Sequence, residues 1–347
     1  MKKIFCLLAC IICVSCNSKK QETETETEPK EVAISEIQAI DFCDSIYTSF
    51  PGTMVVTENY VAWYEPRQSN RFCHIIDKKT GTEIAAIGNI GKGPKDFITP
   101  SISRVSKDRL LIFDLQNKKK ALIDLSRVTE SEQHYAEFSK ITFAEQALRR
   151  FYITVEEELT FSPSDQQPFT IHGNNSNYSG GHFPIEDPNL SHSEKFSQRQ
   201  GTIVYDAQKS QILYSTFDFE YMALYQKVGT QLKLLAEHKV NMPEYKVVEG
   251  KLKLEGHQRI GISQVTLLKD YIVAADFSPE EKASISKREI RRKKMLPQTF
   301  HIYDYNLNLI KIYKLNRPIW RIDGLADSNT IYAIIEDPEL KMVTVEI

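Results

Sequence analysis

Cysteine is nearly absent from the body of this chain. Of six in 347 residues, four fall within the first sixteen, and only Cys43 and Cys73 lie beyond. A disulfide-stapled scaffold is thereby excluded. Cys43 and Cys73 either pair in an oxidising compartment or stay as two buried thiols, and the sequence leaves both open. Beyond residue 16 there is no Cys-x-x-Cys, and nowhere is there a His-Glu-x-x-His or a Gly-x-Ser-x-Gly. The contiguous signatures of zinc sites, zinc proteases and α/β-hydrolases are therefore missing. The longest unbroken apolar run has eleven residues, too short to cross a bilayer as a helix. Neither charge sign dominates: the formal net charge is −2, without the basic excess of a nucleic-acid binder.

The eleven-residue run, Ile4–Val14, follows Lys2 and Lys3, the charged start and apolar core of a signal peptide over residues 1–15. It ends in Val14-Ser15-Cys16, which resembles the bacterial lipobox, where small residues precede a cysteine that is acylated and becomes the mature N-terminus. The thiol takes the diacylglyceryl group, and small neighbours let the chain enter the peptidase. Cys13 stands where that pattern usually has Leu; the alternative is a plain secretory signal cut elsewhere. Residues 16–32 are Glu-, Thr- and Lys-rich with no aromatic, so they cannot bury enough surface to offset their ordering entropy and read as a solvated tether. Asn17 is not Asp, the residue of the inner-membrane retention signal. The expected location is the outer membrane through a lipid on Cys16, on its periplasmic or its cell-surface side.

From residue 33 onward the chain is rich in Tyr, Phe, Ile, Val and Thr, which favour strands. A polar residue followed by a short apolar run recurs at Asn59, Asp108, Glu158, Gln211, Asp270 and Asn329, at spacings of 49, 50, 53, 59 and 59. Each run is followed by a second strand and usually by a tight turn and a third, with Asp, Asn or Gly at the turns. Asp77, Asp124 and Asp304 fall at such turn positions. Radially repeated antiparallel units of this size are propeller blades. The pattern predicts an all-β, six-bladed β-propeller of four-stranded blades over residues 33–347. The sixth unit is one strand short, since only Met342–Ile347 follows its first run. The available donor lies near Ile34–Tyr47, and closing the ring with it would remove an exposed sheet edge.

Gly88-Asn-Ile-Gly91-Lys-Gly93-Pro94-Lys-Asp-Phe97 through Pro100 resembles the Gly-x-Gly-Pro-x-x-Phe linker of NHL-type six-bladed propellers. There the glycines let the chain cross from an outer strand to the next inner one. Asp187-Pro-Asn-Leu-Ser191, followed by Gln200-Gly201 and a strand, resembles the TolB-like six-bladed propeller lipoproteins of Bacteroides-type bacteria. TolB itself carries a further N-terminal domain for which this chain has no room, so the resemblance implies fold and envelope location, with no Tol-system role and no shared activity. Asp44-Ser45-Ile46 resembles an O-glycosylation motif of such envelopes.

Two groups of residues stand out as candidate sites. His172, His182 and His192 accompany Asp187 in a Gly- and Asn-rich stretch; imidazoles and a carboxylate suit a transition metal or Zn²⁺, but spacings of ten are not those of a compact site. The insertion 278–297 opens with a capping box at Ser278 and Glu281, with Pro279 in the first turn and Pro297 closing a predicted helix. It carries Lys282, Lys287, Arg288, Arg291, Arg292, Lys293 and Lys294 against three acids. A local +4 in an otherwise acidic chain could contact anionic glycan, lipid headgroups or an acidic partner, although charge runs are usually solvated faces.

The leading expectation is an envelope lipoprotein that binds or scaffolds a protein or glycan, without cofactor or nucleic acid. The rival is a hydrolase or lyase for carbohydrate or lactone at the channel mouth, where carboxylates and histidines from several blades would converge without a contiguous motif. A third reading makes the basic helix a sensor of surface anions.

Overall fold

In a computed structural model the described residues are 32–43, 46–68, 70–141, 147–153, 157–173, 177–240, 242–255, 260–285, 289–290 and 295–347. The signal peptide, Cys16, Ser45 and all six candidate basic residues of the insertion fall outside them.

Six antiparallel sheets form the predicted propeller. Blade 1 runs inner to outer through Met54–Val56, Tyr60–Tyr64, Asn70–Asp77 and Glu83–Asn89. Blade 2 takes Ser101–Ser106, Arg109–Asp114, Lys119–Asp124 and Ala136–Lys140, and blade 3 takes Arg149–Tyr152, Glu158–Phe161, Phe169–His172 and Asn177–Gly180. Blade 4 takes Gly201–Asp206, Gln211–Thr216, Tyr221–Val228 and Gln231–Lys239. Blade 5 begins Gln264–Leu267, Ile272–Asp276, Thr299–Tyr303 and Leu309–Lys314. The predicted runs are thus the second strand of each blade.

Closure takes the expected form. Blade 6 supplies Ile319–Gly324, Thr330–Glu336 and Leu340–Glu346, and its outer strand is Ile40–Cys43, antiparallel with Ile40 opposite Thr344 and Asp41 opposite Val343. A second N-terminal strand, Ile34–Glu36, runs parallel to Leu309–Lys314 and gives blade 5 a fifth strand. One short stretch of chain therefore supplies the outermost strand of two neighbouring blades and covers the edges of Leu309–Lys314 and Leu340–Glu346.

No single core fills the ring. Strand alternation turns successive residues to opposite faces, so each blade offers an apolar face to each neighbour. Five clusters of buried apolar residues occupy five of the six seams; between blades 3 and 4, for example, Phe161, Phe169 and Tyr214 interlock. The seam between blades 2 and 3 instead holds fully buried Arg150, 2.9 Å from Glu158, which Lys120 approaches at 3.5 Å.

Four of the six repeat-starting polar residues share a task. Asn59 of blade 1 donates from backbone and side chain to the Asp108 carboxylate of blade 2, at 2.8 and 2.6 Å. Asp270 of blade 5 and Asn329 of blade 6 exchange equivalent bonds at 3.1 and 2.8 Å. Each pins one blade's first turn to the next. The turn role expected of Asp77, Asp124 and Asp304 holds too: each accepts main-chain N–H groups two to four residues on.

In the segment 88–100, Phe97 is buried edge-on to Phe72, and its N–H and C=O bond Asn89 and Gly91. Gly88 is in the left-handed region at φ +79°, with Phe72 where a Cβ would stand. The segment joins the outer strand of blade 1 to the inner strand of blade 2 as a linker of this kind should.

Candidate functional site

Sequential antiparallel strands sort the connections by end. Links from inner to second and from third to outer strand emerge on one face; links from second to third strand and between blades emerge on the other. On the first, the turn face, connections are short except for residues 125–135. The second, the loop face, carries the long ones: residues 181–200 with the helix His192–Gln198, 240–263 with the hairpin Tyr245–Leu254, and 277–298 with the helix Pro279–Ser284.

The loop face is also where the exposed aromatic side chains gather. Tyr47 is 83% exposed, and Phe50, Phe196, Phe217 and Tyr245 are each exposed as well. Phe50 meets Trp320 edge-on at 5.7 Å, and the Arg321 guanidinium lies 5.5 Å from its ring centre. The Trp320 indole donates to Glu336 at 3.1 Å, and Arg67 donates to Ser49 at 2.7 Å beside them. Aromatic rings flanked by charged and hydrogen-bonding groups are the composition of a binding surface.

Polar side chains inside the channel are tied to neighbouring backbones. Asp323 of blade 6 accepts the Val56 N–H of blade 1 at 2.7 Å and the Thr266 hydroxyl of blade 5 at 3.0 Å. Gln264 both donates to the Trp320 carbonyl and accepts the Ile322 N–H. Arg321 donates to the Gly52 carbonyl at 2.6 Å, and burial pushes its guanidinium down to about 10. Arg104 of blade 2 donates from Nη1 to the carbonyls of Val56 and Gly324. These groups are held by main-chain partners and brace the inner strands. Below them, at the turn face, a cavity of about 110 Å³ opens among residues of blades 1, 2, 4, 5 and 6.

A second polar cluster lies in the seam between blades 4 and 5. Lys282, on the helix Pro279–Ser284, reaches into the seam and stands 2.6 Å from fully buried Asp276 and 3.4 Å from Glu220. The capping box expected at Ser278 and Glu281 is present and aims this helix, which ends at Ser284, with Ile285 extended. One of the insertion's seven basic residues is thus consumed by a buried ion pair. Next to it, His238, His301 and Tyr303 share the seam, and both ring nitrogens of His301 and the Tyr303 hydroxyl have no hydrogen-bond partner among the described residues. Burial, with the Lys282 charge adding to it, pushes His301 down to about 3.

The three candidate histidines have separate surroundings. His172 is buried between Thr160 and Asn177. His182 bonds Glu237 at 2.7 Å and the hydroxyls of Tyr221 and Tyr225. His192 is exposed at the start of its helix. Among the described residues no three His, Cys, Asp or Glu side chains are placed to hold a metal ion. Cys43 and Cys73 are both buried and not joined in a disulfide, and burial pushes the Cys73 thiol up to about 12. The ties of Asp323 and Arg104 and the burial of His301 leave no mark in the sequence, because nothing local tells a channel or seam position from any other strand position.

No family model and no curated protein matches the chain. No described helix is long and apolar enough to cross a membrane. Similar folds are found among solved structures: an exported-protein candidate of Bacteroides fragilis NCTC 9343, at 11% identity and TM-score 0.57, covers 89% of this chain and 94% of its own. A DUF4221 family member of Bacteroides vulgatus ATCC 8482 matches at 12% identity and TM-score 0.54, covering 91% of this chain and 97% of its own. Chaetomium thermophilum Raptor matches at 8% identity and TM-score 0.50, with only 29% of its own length covered. At these identities the likeness is one of fold: this chain is a six-bladed propeller of the same extent as the two Bacteroides proteins.

Proposed function

We propose that this protein is a non-enzymatic binding or scaffold module of a bacterial envelope. A lipid on Cys16 would tether it to the outer membrane, and its loop face would be presented to a protein or glycan partner. The observation that carries this reading is the inequality of the two faces. The long connections with the exposed rings of Tyr47, Phe50, Phe217 and Tyr245 gather on one end of a braced ring, while the channel's polar side chains Asp323, Gln264 and Arg321 are engaged by neighbouring backbones. A surface rich in aromatic anchors on a rigid support suits recognition. The leader with its Cys16, the TolB-like resemblance and the exported-protein candidate of similar fold support the envelope location.

Partner capture from envelope extract tests the binding role. A reproducible partner should be lost with the triple variant Tyr47→Ser, Phe50→Ser, Phe217→Ser and kept with Leu235→Ser on the outer strand of blade 4. A protein that captures nothing reproducibly, or whose partner survives the triple variant, would overturn the reading. For the tether, Cys16→Ser should move the protein from the membrane fraction to the soluble one, and protease treatment of intact cells reports the side it faces.

A further inference from the structure

The cavity at the turn-face mouth of the channel is a different place with different chemistry. Its rim carries the exposed side chains of Glu58, Lys107 and Asp327, and Arg104 and Asp206 line it more deeply. Val105, Leu267 and Leu325 supply apolar wall. We propose that this cavity binds a small dipolar molecule bearing one carboxylate and one ammonium on a short apolar stem, the chemistry of an amino acid.

Charge argues for a ligand with both signs. A simple anion drawn to Arg104 and Lys107 also meets the carboxylates of Glu58, Asp206 and Asp327, and a simple cation meets the two basic groups. A molecule carrying both charges answers each with its opposite, as close like-charge contacts are unfavourable and opposite ones favourable in a partly enclosed site.

Two groups are prepared for it. The Arg104 Nη1 is clamped between two carbonyls of different blades, at 2.9 Å to Val56 and 2.8 Å to Gly324. This fixes the plane of a guanidinium whose remaining donors match a carboxylate. Asp206 is only 7% exposed; its Oδ1 accepts the Gln208 N–H at 2.8 Å, while Oδ2 is buried without any donor among the described residues. A buried carboxylate oxygen with no donor is a standing penalty, and an ammonium entering the cavity would relieve it. Size agrees: about 110 Å³ is the room of roughly four water molecules at ~30 Å³ each, and the open rim lets a slightly longer stem protrude.

Titration calorimetry of the full-length protein with 4-aminobutyrate, butyrate and butylamine tests this directly. The three share a stem and differ in charge. Saturable binding of 4-aminobutyrate is expected, with each single-charge analogue at least about tenfold weaker. Lys107→Met and Asp327→Asn alter exposed side chains and should each weaken binding several-fold while leaving the unfolding midpoint unchanged. Asp206→Asn should weaken it further. Equal affinity for butyrate or butylamine, binding indifferent to both rim variants, or no saturable binding to any of the three would overturn the proposal. None of these results bears on partner capture at the opposite face, so the two readings fail separately.

Discussion

His301 gives the sharpest test of the reasoning about buried polar groups. It lies on the third strand of blade 5, is 2% exposed, and offers two ring nitrogens that meet no hydrogen-bond partner among the described residues. Around it stand Glu220 and His238 from blade 4, Asp276 and Tyr303 from its own blade, and Lys282 from the helix above. With the folded imidazole held down to about 3 against an unfolded value near 6.5, the unfolded chain takes up a proton first as the solution acidifies. The stability that His301 leaves intact at neutral pH is therefore lost progressively from about pH 6.5 down to about pH 3. At roughly 1.4 kcal/mol per pH unit, the loss at pH 5 relative to pH 7.5 is about 2 kcal/mol. His238, whose buried imidazole is also held below its ordinary value, acts in the same direction. Replacing His301 with Leu removes the titrating group and two unsatisfied nitrogens. The variant should be at least as stable as the parent at pH 7.5, and more stable by about 2 kcal/mol additionally at pH 5. Urea unfolding followed through Trp63 and Trp320 at the two pH values measures both. A parent and variant with the same dependence on pH would refute the account of this seam.

Three further outcomes follow from the ring. Asp323→Ala strips two bonds that join blade 6 to blades 1 and 5 and leaves the buried Val56 N–H without its acceptor, which should lower stability by about 2–4 kcal/mol in urea titration. The paired variant Ile40→Cys with Thr344→Cys places cysteines at directly opposed positions of the closing strands; oxidised, it closes a loop of some three hundred residues and should stabilise by up to about 5 kcal/mol, reversed by dithiothreitol. Cys43 and Cys73 should stay inert to Ellman's reagent at pH 8 in the folded protein and react fully in urea, since both are buried and the Cys73 thiol is pushed up to about 12.

Much of the architecture could be read along the chain because its signals are local and repeated. The polar residue and apolar run that begin at Asn59, Asp108 and Asp270 recur because every blade solves the same problem, a second strand buried on both faces after a tight turn. The missing strand of the sixth unit pointed to the N-terminus for the same reason: a ring cannot leave one blade incomplete without exposing an edge. The capping box at Ser278 and Glu281 is likewise a matter of adjacent residues, and it appears as expected. The parallel strand Ile34–Glu36 could not be foreseen, since three residues carry no pattern of their own and only the neighbouring blade gives them a partner.

The sequence by itself determined the periodicity, the number of blades and the way the ring closes, because these rest on contacts between residues close in the chain or on the count of repeats. Only the tertiary structure decided which side chains meet across seams and along the axis. It set Lys282 into a buried pair with Asp276, parted His172, His182 and His192, and brought Arg104 and Asp206 to one cavity from blades 2 and 4. Arg104 and Asp206 are about a hundred residues apart on two strands, and a one-residue shift in register would turn either to the opposite face, while Lys282 finds Asp276 only because the helix Pro279–Ser284 packs back over the seam.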